Sequence, residues 1–161
     1  MKYEFSKRHQ EFRNEHTYMK VAFVNAKPGD NESRDQCFLY NEIIGPEFGP
    51  KQFAEISIIE TDPMFRRQGF ASKLVKEFID SNPNVPIFLK AGIISEEQYN
   101  KLESQGILKQ YILEQIVPFY ESLGFINVNE TSLHHDSTVI MCYPKNLAQK
   151  YINESKETRI N

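Results

Sequence analysis

Residues 66–71, Arg66-Arg67-Gln68-Gly69-Phe70-Ala71, set two guanidinium groups, an amide and a glycine directly before a stretch with helical apolar spacing. A helix start leaves its first N–H groups without internal acceptors and carries partial positive charge, and glycine lets a ligand approach the backbone closely. The chemistry on offer is the cradling of a phosphate or diphosphate, chiefly by main-chain donors. The same residues also suit a plain turn with a solvated arginine pair. The segment is neither the Gly-rich dinucleotide fingerprint nor a nucleoside-triphosphate loop. Glu55 is the second group of chemical interest. On a strand through 52–63 it shares a face with Ser57, Ile59 and Thr61, while Ile56 and Ile58 turn the other way into a core. A carboxylate in a partly desolvated site can take a proton from an amine, directly or through water. The alternative is a strand carboxylate that faces solvent or pairs with a neighbouring cation.

Other titratable clusters offer less. His134-His135-Asp136 places adjacent residues on opposite faces of a strand, with no third ligand at a matching spacing, so no metal is expected. Cys37 and Cys142 form neither a disulfide framework nor a zinc cluster and are expected as reduced thiols in strands. Neither is paired with a histidine, so an acyl-cysteine route is not expected.

The elements that must position these groups are legible in order. Residues 18–26 alternate as a strand, the turn residues 27–33 follow, and 36–45 form a second apolar run, an antiparallel pair. The run 52–63 is rich in β-branched residues and stops at Pro63. Leu74, Val75, Phe78 and Ile79 then mark a helix that returns to a strand over 85–92, a crossover that makes the two strands parallel. A polar helix over 95–106 has Ser95 as its cap and Gly106 as its stop, with Glu96, Glu97 and Glu103 on a solvated face. A further helix carries Ile112, Leu113, Ile116, Val117, Tyr120 and Leu123, broken or restarted at Pro118 and ended by Gly124. Tyr99, Tyr111 and Phe119 suit either an acceptor pocket or core packing. Two terminal strands, 125–130 and 137–144, close the domain. Residues 1–17 show no clean period and residues 145–161 read as a polar tail.

Composition bounds the partners. The 161 residues suit one domain, and 19 Lys+Arg against 22 Asp+Glu give a formal charge of −3, which disfavours nucleic acid as a partner. No apolar run approaches the roughly 20 residues of a bilayer helix, and the first residues lack the apolar block of a signal peptide. A cytoplasmic protein without a membrane partner is expected.

Two segments carry a family resemblance. Arg66-Arg67-Gln68-Gly69-Phe70-Ala71 resembles the Arg/Gln-x-x-Gly-x-Gly/Ala motif of the GNAT superfamily of N-acetyltransferases. Val117-Pro118-Phe119-Tyr120-Glu121-Ser122-Leu123-Gly124-Phe125 is similar to that family's second signature at a helix end. The strand and helix order extends the resemblance over residues 18–144. It implies a single GNAT-like α/β (α+β) domain over 1–144. Its mixed, mostly antiparallel central sheet would be splayed between its fourth and fifth strands and flanked by helices.

The resemblance also implies acetyl-CoA as cosubstrate. Its diphosphate would sit on the amides of Arg66, Arg67, Gln68, Gly69, Phe70 and Ala71, with Ser72 as an added hydroxyl donor. The pantetheine arm would pair with main chain at Ile59, Glu60 and Thr61, where strand 53–62 parts from strand 86–91, and an N–H near Ile59 would polarise the thioester carbonyl. Glu55 looks like the general-base glutamate of the histone-acetylating branch. Tyr120 stands where the family has a tyrosine that protonates the departing thiolate; by residue type alone it is equally an aromatic of the helix core stripe. Leu113 replaces an asparagine that contacts the cofactor in many relatives, and residues 93–110 form an insertion, either a lid or surface padding. The activity implied is direct acetyl transfer to a primary amine of a small molecule or peptide, by a monomer or homodimer. A non-catalytic acyl-CoA binding or sensory module of the same fold is the alternative.

Overall fold

The computed structural model describes residues 3–28, 52–91, 96–127 and 139–146. The run 36–45, Cys37, the 134–136 trio and residues 147–161 lie outside them. Strand β1 (Tyr3–Arg13) occupies the stretch with no clean period. Residues 8–11 are exposed, as an outermost strand allows, so both of its faces accept charge and the usual alternation is lost. A turn at Asn14, Glu15 and His16 leads into β2 (Thr17–Pro28), which pairs antiparallel with β1 on one side and with β3 (Gln52–Thr61) on the other.

A short 3-10 turn (Pro63–Phe65) and the 66–69 loop connect β3 to helix α1 (Phe70–Ser81). Leu74, Val75 and Phe78 are the buried stripe of α1. Phe78 packs edge-on to Phe12 at 5.2 Å and tilted against Phe23 at 6.0 Å. Fully burying each such side chain stabilises by about 1.5–3 kcal/mol. The helix ends at Asn82, whose N–H donates to the Ile79 carbonyl at 3.1 Å and whose side-chain amide donates to the Phe78 carbonyl at 3.0 Å. Pro83 follows. The chain then returns in β4 (Ile87–Lys90), parallel to β3.

Helix α2 (Glu96–Ser104) is polar, buries Leu102, and stops at Gly106, which adopts φ 71°. Glu96, Glu97 and Glu103 are exposed. Helix α3 (Leu108–Tyr111) widens through a π-helical turn (Ile112–Ile116) into α4 (Val117–Ser122), with Pro118 in the first turn of α4. Strands β5 (Ile126–Asn127) and β6 (Ile140–Tyr143) follow.

The sheet order is β1-β2-β3-β4-β6-β5, with β3 and β4 as its parallel pair. The fold is thus a mixed α/β domain, a six-stranded mixed sheet flanked by helices. Its main core joins one sheet face, including Val21, Ala54, Ile56, Ile87 and Leu89, to the stripe of α1 and to Ile112, Val117 and Tyr120. Alternation puts Ala22, Glu55, Phe88 and Cys142 on the opposite face, in register across four strands and all buried. Cys142 is a free thiol there, and burial pushes its pKa up.

One register expectation is overturned. Lys20 pairs with Ile58 but Val21 pairs with Ile56, so Ser57 is an extra residue in β3, a β-bulge. Beyond it the faces exchange. Ile59 packs against the core, whereas Ile58, placed in the core by strict alternation, is 36% exposed. The face shared by Glu55, Ser57, Ile59 and Thr61 therefore does not exist as a continuous surface.

Candidate functional site

The junction between β3 and α1 is built by successive backbone turns. Asp62 donates its N–H to the His16 carbonyl at 2.9 Å, and Phe65 donates to the Asp62 carbonyl at 2.8 Å, closing the 3-10 turn. Arg66 is extended, at φ −68° and ψ 152°, and its Nε donates to the Thr61 carbonyl at 3.2 Å. Gln68 donates its side-chain amide to the Met64 carbonyl at 3.3 Å. Arg67 and Gly69 both take left-handed conformations, at φ 64° and 87°. For glycine this is free; for arginine it costs about 1–2 kcal/mol.

Gly69 is the N-cap of α1 and offers no side chain to its first turn. Lys73 donates to the Gly69 carbonyl at 2.9 Å. Ahead of it, the N–H groups of Phe70, Ala71 and Ser72 have no acceptor among the described residues. A Cβ built on Gly69 meets nothing within 4 Å, so the space beside the N-cap is open. Arg66, Arg67, Gln68 and Gly69 are exposed, while Phe70, Ala71 and Ser72 are half-buried. The arrangement fits an anion at a helix start with two guanidinium groups beside it.

Two residues outside the sequence argument hold this junction. The Asn14 side-chain amide donates to the Phe70 carbonyl at 2.8 Å, and its oxygen accepts the N–H groups of Thr17 and His16 at 2.9 and 3.2 Å. The His16 ring stacks on Phe65 at 3.5 Å and stands edge-on to Phe70 at 4.7 Å. The β1–β2 turn therefore clamps both sides of the loop. Asn14 as a turn residue was the one available signal.

Among the described residues the strand edge above the loop is also unpaired on its β4 side. β3 pairs with β4 only at Ala54–Ile56 against Ile87–Leu89, with the Ala54 N–H donating to the Pro86 carbonyl at 2.9 Å. After Ile56 the two strands part. β4 finishes against β6, where Ala91 donates to the Val139 carbonyl at 2.7 Å, and β3 runs on to Thr61 beside β2. Ile59, Glu60 and Thr61 thus line a gap in the sheet. Thr61 Oγ1 is 2.9 Å from Thr17 Oγ1, which fixes the end of the strand.

No protein family, curated protein or solved structure matches this chain.

Tyr120 sits at the C-terminal end of α4, its ring edge-on to Phe119 at 4.9 Å and to Phe125 at 5.5 Å. Its carbonyl accepts the N–H groups of Leu123 and Phe125 at 3.0 and 3.1 Å, a tight helix end completed by Gly124 at φ 99°. The ring is buried, desolvation pushes the phenol pKa up, and the hydroxyl has no hydrogen-bond partner among the described residues. It remains a neutral donor at ordinary pH.

Glu55 lies on the other side of the sheet from Tyr120. It is 6% exposed, and Lys7 Nζ of β1 stands 4.0 Å from its Oε2. The structure therefore does not bring Glu55 and Tyr120 into one cluster; they lie on opposite faces of the sheet. Leu113 packs half-buried in the π-helical turn. Tyr111 accepts a hydrogen bond from the Gln98 side chain at 2.8 Å, which ties α2 to α3, while Phe119 is half-buried against the core and Tyr99 is exposed. Among the described residues no group of His, Cys, Asp and Glu could hold a metal ion, and no helix is long and apolar enough to cross a membrane.

Proposed function

We propose that this protein is an acetyl-CoA-dependent N-acetyltransferase of the GNAT type, acting on a primary amine of a small molecule or peptide. The observation that carries the proposal is the set of three N–H groups at Phe70, Ala71 and Ser72 with no acceptor among the described residues, at the start of the helix that follows β3, the strand that parts from β4 after Ile56. The carboxyl ends of diverging parallel strands are where open α/β sheets take their ligands. The diphosphate rests on the amides of residues 66–71 and the Ser72 hydroxyl, flanked by Arg66 and Arg67. The pantetheine arm follows the β3 edge at Ile59, Glu60 and Thr61, beyond the bulge at Ser57.

The amine attacks the thioester carbonyl, forming the C–N bond as the C–S bond breaks. The amine proton passes through water to Glu55, and the Tyr120 phenol gives its proton to the departing sulfur. Because Glu55 is enclosed and paired with Lys7, a water relay is required; direct contact with the amine is not available.

That same enclosure favours one rival, a non-catalytic acyl-CoA binding module in which Glu55 and Lys7 are a structural pair. Incubation of the protein with acetyl-CoA and a mixed panel of amines distinguishes them. Amine-dependent release of CoA thiol supports the enzyme. CoA binding without turnover on any amine supports the module, and absence of CoA binding overturns both.

A further inference from the structure

Ser6, Asn25 and Gln52 stand directly opposite one another on three neighbouring strands. The next row along the same face holds Arg8, Phe23 and Ala54. Ala54 belongs to the helix-side core, so this whole face is one that alternation would fill with apolar residues. The row of Ser6, Asn25 and Gln52 is exposed and polar instead. Such a departure from the local pattern is where a functional site is expected.

The polar row borders a cavity of about 330 Å³, whose lining includes Ser6, Arg8, Phe23, Asn25, Gln52 and Val85. That volume lies at the lower end of small-molecule sites, about 300–1,000 Å³. The Arg8 guanidinium lies 4.7 Å above the Phe23 ring and donates to the Gln10 side chain at 3.3 Å. Among the described residues it has no carboxylate partner, and Ser6, Asn25 and Gln52 have no side-chain hydrogen bonds. Among the described residues no acidic residue lines the cavity. Polar side chains that share a cavity with a guanidinium lacking a carboxylate partner among the described residues suit a carboxylate, which accepts the planar Arg fork. Phe23 and Val85 supply an apolar wall that an inorganic anion would leave unused.

We infer that this cavity binds a small organic carboxylate with an aromatic or branched apolar body, held by Arg8, Asn25, Gln52 and Ser6. It lies at the start of β3, whereas the anion cradle follows the strand's end. Ten residues at about 3.3 Å each put the two roughly 30 Å apart. The inference is independent of the acyl-transfer proposal.

Benzoate titrated into the 15N-labelled full chain tests it, read on the side-chain amide signals of Asn25 and Gln52 and on Arg8 Nε. Saturable shifts are expected with benzoate and none with benzamide, which keeps the ring but lacks the charge. Arg8→Gln, at an exposed position, weakens binding at least about tenfold with an otherwise unchanged spectrum, and Asn25→Ala weakens it less. Failure to saturate at tens of millimolar, equal binding of benzamide, or undiminished binding by Arg8→Gln overturns the site. Inorganic phosphate binding as tightly as benzoate overturns the assignment to an organic carboxylate.

Discussion

Lys7 Nζ lies 4.0 Å from Glu55 Oε2, across the intervening strand β2, with the two side chains only 20% and 9% exposed. An ion pair so enclosed is costly to break on one side, because the buried survivor loses a compensating neighbour. Lys7→Met is therefore expected to lower unfolding free energy by about 1–3 kcal/mol, read from urea transitions at neutral pH. Glu55→Gln should cost less than Lys7→Met, since an amide tolerates the enclosed site better than a carboxylate that has lost its lysine neighbour. In the thiol-release assay, Glu55→Gln should abolish turnover while leaving CoA affinity intact. Retained turnover would remove Glu55 from the reaction.

Gly69→Val is the corresponding test of the cradle. A β-branched side chain at φ 87° is strained, and its methyl groups enter the open space beside the N-cap. CoA affinity should fall at least about tenfold by calorimetry. Unchanged affinity would place the diphosphate elsewhere.

Arg67 offers the opposite test. At φ 64° it holds strain that glycine relieves, offset in part by glycine's larger entropy in the unfolded chain. Arg67→Gly should leave stability unchanged or raise it by up to about 1 kcal/mol. A substantial loss in the urea midpoint would mean that the side chain braces the loop.

Gly124→Ala should be damaging for two reasons. The position has φ 99°, and an added Cβ would meet the Tyr143 ring at 2.9 Å. The ring is held against Phe125 at 5.5 Å and cannot swing freely. A loss of about 2–3 kcal/mol is expected, with only part recovered in Gly124→Ala combined with Tyr143→Ala.

Alkaline stability should report on the buried phenol and thiol. Burial raises the folded-state pKa of Tyr120 above 10 and that of Cys142 above 9. The unfolded chain therefore releases those protons first, and stability is lost as pH rises through the unfolded values. Unfolding free energy should fall from about pH 9 upward, and Tyr120→Phe should flatten the part of that fall above about pH 10. In a Cys37→Ser background, Cys142 should resist a disulfide reagent until the protein unfolds.

The sequence made some of this visible and hid the rest for identifiable reasons. The Leu74, Val75 and Phe78 stripe announces α1, and Gly124 announces a helix stop, because periodicity and left-handed backbone have residue signatures. The parallel return to β4 follows from the short helix between two apolar runs. Strand β1 is obscured because Arg8, His9, Gln10 and Glu11 are all exposed, which erases alternation. The bulge at Ser57 has no signature in residue type, so the exchange of faces between Ile58 and Ile59 needs the strand register to be seen. The same is true of Lys7 beside Glu55 and of Asn14 against Phe70, which are remote in the chain and meet only through the antiparallel pairing.

The brevity of the β3–β4 pairing has a mechanical meaning. The three strands from β1 to β3 and the three strands from β4 to β5 are joined across the middle by a seam of three residue pairs. The ladders from β1 to β3 are far longer than that seam. Slow amide exchange should consequently persist within β2 and β6 while the Ala54 amide opens sooner. A molecule wedged into the cleft would act as a brace between the two halves.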